Sequence, residues 1–162
     1  WEKHVWHTSL KPQGKLYLLS RAPRLVWSDF FRADKDLVRV RKLGRGRSKT
    51  LGFSKNLKRG FFDARTVAYL ALQLAYHLGF NRVFLVGVDL DPTAGRFYEV
   101  PGKFVSPCVL DDHFQTRILP SFEILSKQVI NEDFQVYNLS DVSKIPSRLI
   151  PRMTLEELDR LL

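Results

Sequence analysis

Cysteine is nearly absent from this sequence. Cys108 is the single thiol among 162 residues, so neither an internal disulfide nor a cysteine-rich zinc site can form. One free thiol suits a reducing compartment. Long hydrophobic runs are missing as well. Every apolar stretch is broken by polar residues well short of the roughly 20 that a bilayer-spanning helix requires, and no signal-peptide pattern is present. The chain therefore reads as soluble or membrane-peripheral, with a cytoplasmic setting. Phosphate-loop and hydrolase signatures are lacking: there is no G-x-x-x-x-G-K-S/T loop and no G-x-S-x-G elbow. The histidines stand at 4, 7, 77 and 113, a spacing that does not make a zinc site. An initiator methionine is missing too. The sequence opens on Trp1 and reads as the C-terminal part of a longer protein.

Acidic residues are scarce beside basic ones, 17 against 26, for a net charge of +9. Such an excess calls for an anionic partner: nucleic acid, anionic lipid or a phosphorylated glycolipid. The imbalance peaks between Arg39 and Gly60, which holds nine Lys or Arg, four glycines and no acid. The segment reads as a flexible loop, either a solvated surface or an anion-binding loop ordered by substrate. Its only aromatic is Phe53, whereas single-strand nucleic-acid platforms interleave several, so nucleic acid is disfavoured as partner.

What is present belongs to a globular α/β domain. Hydrophobic residues make up 44% and aromatics 12%, enough for one packed core in a single domain over 1–162. Lys15 to Ser20 and Leu37 to Arg41 read as short strands, the second alternating apolar and basic. Asp63 to Leu78 reads as the clearest helix. Asp63 is placed to cap it. Val67, Leu70, Ala71, Leu74, Ala75 and Leu78 form an apolar stripe, and Gly79 fits the left-handed position that ends it. Arg82 to Val88 reads as a strand buried on both faces, as in a parallel sheet. Thr93 to Asp112 reads as a long loop, Ile118 to Ile130 as a second helix with Ile118, Phe122, Leu125 and Val129 on one face, and Phe134 to Tyr137 as another strand. Thr154 to Glu157 makes a capping box for a last helix. The order strand, helix, strand, helix, strand argues α/β.

Open α/β sheets gather ligand-binding groups at the carboxyl ends of their strands. Asp89, Asp91, Asn138 and Ser140 follow apolar strands, and Asp111, Asp112 and His113 close the long loop. Histidine is the side chain suited to act as a base at neutral pH, and His113 has a neighbouring aspartate to orient it. The competing reading is a surface histidine beside a helix that Asp112 caps. Asp89 and Asp91 can bind a divalent cation, bond a sugar hydroxyl or backbone amide, or end the strand before Pro92.

The stretch FFDARTVAYLALQLAYHLGFNRVFLVGVDLD, followed by DDHFQTRILPSFEILSKQ and then YNLS, resembles bacterial sialyltransferases that use CMP-sialic acid. It is equally similar to their relatives in lipopolysaccharide core synthesis, including proposed Kdo transferases. The likeness runs from about Thr66 to Ser140. Val67-Ala68 stand where those relatives carry Ser-Gly, and Asp91 stands at the first of their tyrosine positions.

The resemblance implies a Rossmann-like, mostly parallel sheet with helices on both faces. It also implies transfer of an acidic keto-sugar, Kdo or sialic acid, from a CMP-activated donor, with neither metal nor cofactor. It makes His113 the general base and Tyr98 the tyrosine that assists the leaving phosphate. Thr66 is placed near the donor phosphate at a helix N-terminus, Gly87 and Asp89 under the nucleotide or sugar, and Asp91, Asn138 and Ser140 along the same edge. The acceptor is then a phosphorylated surface glycolipid held by Arg45, Arg47 and Lys49, with peripheral contact at the inner face of the inner membrane. A homo-oligomer is compatible with this picture. The competing chemistry is an ATP- and metal-dependent pyrophosphokinase-like transfer at Asp89 and Asp91.

Overall fold

The computed structural model describes residues 15, 17–24, 34–39, 50–91 and 110–161, with Asp111 by its backbone alone. The parts of the expected elements that fall on 1–14, 25–33, 40–49 and 92–109 lie outside the described residues. So do Tyr98, Arg45, Arg47 and Lys49.

The chain is a mixed α/β protein. Strand β1 (Leu37–Arg39) pairs antiparallel with β2 (Gly52–Ser54), Val38 opposite Phe53. Helix α1 spans Val67–Leu78 and β3 spans Arg82–Leu85. A helical stretch follows: α2 (Leu110–His113), a wider π turn (Phe114–Ile118) and α3 (Leu119–Gln128). Strand β4 (Gln135–Asn138) pairs parallel with β3, from Arg82 opposite Gln135 to Leu85 opposite Asn138. Helix α4 (Leu155–Leu161) closes the chain. The broad parallel sheet implied by the resemblance is not seen among the described residues, which form two sheets of two strands, only one of them parallel.

The basic segment is more ordered at its C-terminal end than its composition suggests. Residues 52–54 are a fully buried strand and Leu57–Arg59 a 3-10 turn. Phe53 is the reason. Its ring is edge-on to Tyr69 at 5.8 Å and to Tyr76 at 5.7 Å, a geometry aromatic pairs favour. Buried there, Phe53 cannot stack on a base.

Helix α1 buries a different face from the apolar stripe read in the sequence. Tyr69, Leu72 and Gln73 are buried and Tyr76 half-buried, whereas Val67 is 81% exposed and Leu78 63%. The cause is polar. The Gln73 Oε1 accepts from the amides of Ser54 (3.0 Å) and Phe62 (2.9 Å), and its Nε2 donates to the Phe62 carbonyl at 3.0 Å. The Tyr69 hydroxyl lies 3.0 Å from the Gly52 carbonyl and 2.9 Å from that of Ser121. A buried polar group left unmatched costs about 1–3 kcal/mol, so this satisfied face wins over a stripe of alanines and leucines.

The cap of α1 is also shifted. Asp63 does not cap; Thr66 does, with extended backbone and its hydroxyl accepting from the Ala68 amide at 3.3 Å. Arg65, at φ +63, interrupts the helix between them, and Asp63 accepts the Arg65 amide at 2.8 Å. Gly79 ends the helix in the left-handed conformation as expected.

The second helix buries Ile118, Phe122, Leu125 and Val129, the face read from the sequence. It begins earlier than expected. Pro120 clashes with the carbonyl four residues back in a regular α-turn, and the chain widens there: the Leu119 amide bonds the Phe114 carbonyl. The helical stretch therefore runs through Pro120, and residues 110–112 are helix rather than loop. Asp112 lies within it and is no cap.

The expected strand at Lys15 to Ser20 is not formed among its described residues. Tyr17, Leu18 and Leu19 are exposed, and the segment docks at its end, where Arg21 bridges to Phe61 and pairs with Asp63. Gly60 permits that approach, since at its φ of +99 a Cβ would lie 2.7 Å from the Ala22 nitrogen. The capping box is present: the Thr154 amide donates to Glu157 (2.8 Å) and the Glu157 amide to the Thr154 hydroxyl (3.2 Å).

Candidate active site

The connections decide where the polar groups gather. A three-residue link joins α1 to β3, and residues 129–134 join α3 to β4. Each helical stretch therefore runs opposite to the strand that follows it. Because β3 and β4 are parallel, the N-terminal ends of both helical stretches share an edge with the carboxyl ends of both strands. Thr66, Gly87, Asp89, Asp91, His113, Asn138 and Ser140 all belong to that edge.

Four of these residues form one cluster. The Ser140 hydroxyl donates to the Asp89 carboxylate. The Ser140 amide donates to the Asn138 Oδ1 at 3.0 Å. Asn138 is itself buried, and its Nδ2 has no hydrogen-bond partner among the described residues. Asp91 faces the Lys144 ammonium at 3.4 Å. The Asp89 carboxylate is thus already engaged within the chain, by the Ser140 hydroxyl.

The turn that carries the carboxylates is strained. Gly87 has φ +65 and Leu90 φ +55. The left-handed region costs a side-chain-bearing residue about 1–2 kcal/mol. Such strain persists where surrounding contacts enforce it, commonly at functional sites. Here the 140–145 segment enforces it. The Ser143 hydroxyl donates to the Val88 carbonyl at 2.6 Å, and the Lys144 amide donates to the Asp89 carbonyl at 2.7 Å. Arg152 braces that segment in turn, donating to the carbonyls of Asp141 and Ser143. Ser143, Lys144 and Arg152 escaped the sequence reading. No motif marks them, and each acts on backbone or on a carboxylate distant in sequence.

Thr66 and His113 share the edge without bonding to the cluster. The Thr66 hydroxyl is committed to its helix cap, leaving the first-turn amides of α1 as the positive end of a 12-residue helix. His113 closes α2, half-buried, and among the described residues nothing hydrogen-bonds its ring. Among the same residues no group of three or more His, Cys, Asp or Glu is gathered as a metal site would gather them, and no helix is long and apolar enough to cross a membrane.

Comparison with known proteins adds a family. The model of a family described as 3-deoxy-D-manno-octulosonic acid transferase WaaZ matches residues 24–156. The chain is 34% identical over 113 residues to a protein of Salmonella typhimurium (strain LT2) named probable 3-deoxy-manno-octulosonic acid transferase, covering 70% of this chain and 40% of that protein. It is 31% identical over 165 aligned positions to an Escherichia coli (strain K12) protein of the same name, covering 90% of this chain and 55% of that one. The chain thus spans about half the length of the curated relatives it matches. No solved structure matches it.

Proposed function

The chain belongs to the WaaZ family of 3-deoxy-D-manno-octulosonic acid (Kdo) transferases, and from that premise we propose that it carries the reacting edge of a glycosyltransferase moving Kdo from a CMP-activated donor to a lipopolysaccharide acceptor. The observation that carries this reading is the family match over residues 24–156, which contains the whole strand-edge cluster.

The chemistry requires two things. The acceptor hydroxyl must lose a proton, and the departing phosphate must have its growing negative charge stabilised. His113 takes the proton. The acceptor oxygen then bonds the anomeric carbon of Kdo as the bond from that carbon to the phosphate oxygen breaks, and CMP leaves with the electron pair. The free amides at the start of α1, beyond Thr66, face the phosphate, where a helix N-terminus favours an anion. Tyr98 donates to the same leaving group. Gly87, without a side chain, lets the nucleotide or its sugar approach the backbone. Asp89, held by Ser140, and the spare Nδ2 of Asn138 orient donor hydroxyls, with Asp91 beside them. Arg45, Arg47 and Lys49 hold the phosphorylated acceptor, which brings the protein to an anionic membrane surface. No step requires a metal.

The test is direct. The protein is incubated with CMP-Kdo and a lipopolysaccharide core acceptor, and CMP release and acceptor mass are followed. The expected result is acceptor-dependent CMP release with one Kdo added, unchanged by a chelator. Turnover of ATP that requires magnesium, with CMP-Kdo inert, would replace this reading with phosphoryl-type transfer at Asp89 and Asp91.

A further inference from the structure

A second polar concavity lies apart from the Asp89–Ser140 cluster, and no motif pointed to it. A cavity of about 320 Å³ opens where the 20–24 segment meets β1 and the second helical stretch. Its described charged and hydroxyl lining is Arg21, Arg24, Arg39, Arg117, Thr50 and Asp63, four arginines to one aspartate. That carboxylate is already engaged, 2.9 Å from Arg21 and accepting the Arg65 amide at 2.8 Å. Two of the other arginines are fixed by neighbours. Arg117 donates to the Thr50 hydroxyl at 2.7 Å and to the Asp63 carbonyl at 3.2 Å. Arg39 lies over the Phe62 ring, 4.9 Å from its centroid. Arg24 stands exposed at the rim.

Like charges gathered round one cavity repel, and a bound anion offsets that repulsion. Arginine, with its planar fork, matches the oxygens of a phosphate better than lysine does. Two of these forks are already fixed by their neighbours, which lowers the ordering cost of binding. The volume is at the low end for small-molecule sites, suited to one sugar ring with its phosphate. Placement supplies the rest. Asp63 lies three residues before the α1 cap, and Arg117 lies four residues, about one helical turn, after His113.

We propose that this cavity binds a phosphomonoester borne on a sugar and so holds the phosphorylated acceptor beside His113. Binding of the phosphomonoester stands on the cavity alone; its assignment to the acceptor rests on the transferase reading above.

Titration calorimetry with glucose 6-phosphate, inorganic phosphate and glucose tests it. Glucose 6-phosphate should bind more tightly than inorganic phosphate, and glucose should give no heat. Arg24→Ala and Arg21→Ala should each weaken glucose 6-phosphate at least about tenfold, as loss of a charged hydrogen-bond partner does. Arg24→Lys should restore part of the loss, and Arg160→Ala on α4 should change nothing. Saturating CMP should leave the affinity intact. Affinity indifferent to Arg24 and Arg21 would overturn the site. Displacement by CMP would overturn the acceptor assignment, making the cavity the donor's phosphate site. Absence of Kdo transfer with Arg24-dependent binding retained would sink the transferase reading and leave the phosphomonoester site standing.

Discussion

The two strand pairs of this protein are built to opposite rules. In β1–β2, every residue of β2 is buried and its polar groups are met from α1: Gln73 receives the Ser54 amide and Tyr69 reaches the Gly52 carbonyl. In β3–β4, the strands run out into exposed, left-handed backbone, with Val86 74% exposed and Leu90 at φ +55. There a buried amide group, Asn138 Nδ2, has no partner among the described residues. The first pair has the Ser54 amide and the Gly52 carbonyl met from α1 and gives stability. The second keeps strain and spare donors, held in place by Ser143, Lys144 and Arg152. Substitutions should therefore separate: stability lost at one pair, chemistry lost at the other.

The sharpest separation comes from Gln73→Leu. It orphans the amides of Ser54 and Phe62 at about 1–3 kcal/mol each, a large part of the roughly 5–15 kcal/mol that holds a domain folded. Denaturant unfolding should show a collapse of the midpoint, and an unchanged midpoint would break the contrast. Tyr69→Phe should cost about 1–3 kcal/mol, since the hydroxyl serves two buried carbonyls. It carries a pH signature too. Burial pushes the Tyr69 phenol well above its usual value. The unfolded chain then releases this proton near pH 10 while the folded chain keeps it. Wild-type stability from this group is complete below about pH 10 and falls as pH rises toward the folded value; the Phe variant should lack that alkaline loss.

At the other pair the readout changes. Ser140→Ala frees the Asp89 carboxylate and should lower kcat/KM for transfer about tenfold, near 1.4 kcal/mol of transition-state energy, with little change in unfolding midpoint. Equal losses of stability and activity would erase the distinction. Smallest of all is Leu90→Gly. It relieves a left-handed leucine at about 1–2 kcal/mol but adds backbone freedom worth about 0.5–1 kcal/mol. The leucine side chain also packs, half-buried, against the core, a contact that glycine loses, so the unfolding midpoint should stay nearly unchanged, where Leu90→Val should lower it.

The sequence announced features governed by neighbours along the chain. Gly79 as a helix stop, the Thr154–Glu157 capping box and the buried face from Ile118 to Val129 were all readable in it. So was the presence of Asp89, Asp91, Asn138 and Ser140 after apolar strands, and the connections bring these to one edge. Features governed by distant partners were not readable. Gln73 belongs in the core only because amides 19 and 11 residues away need its oxygen, and a hydrophobic period cannot register that. Phe53 hid a buried strand inside a basic segment. The arginine cavity draws on positions 21, 24, 39 and 117, which no local pattern connects.

The central claim is that His113, at the edge shared by both helical starts and both strand ends, removes the acceptor proton. Acceptor-dependent CMP release from CMP-Kdo should be measured for wild type and His113→Ala, alongside CMP affinity. Turnover reduced about 100- to 10,000-fold with CMP affinity unchanged is the predicted result. Full turnover in His113→Ala would contradict it.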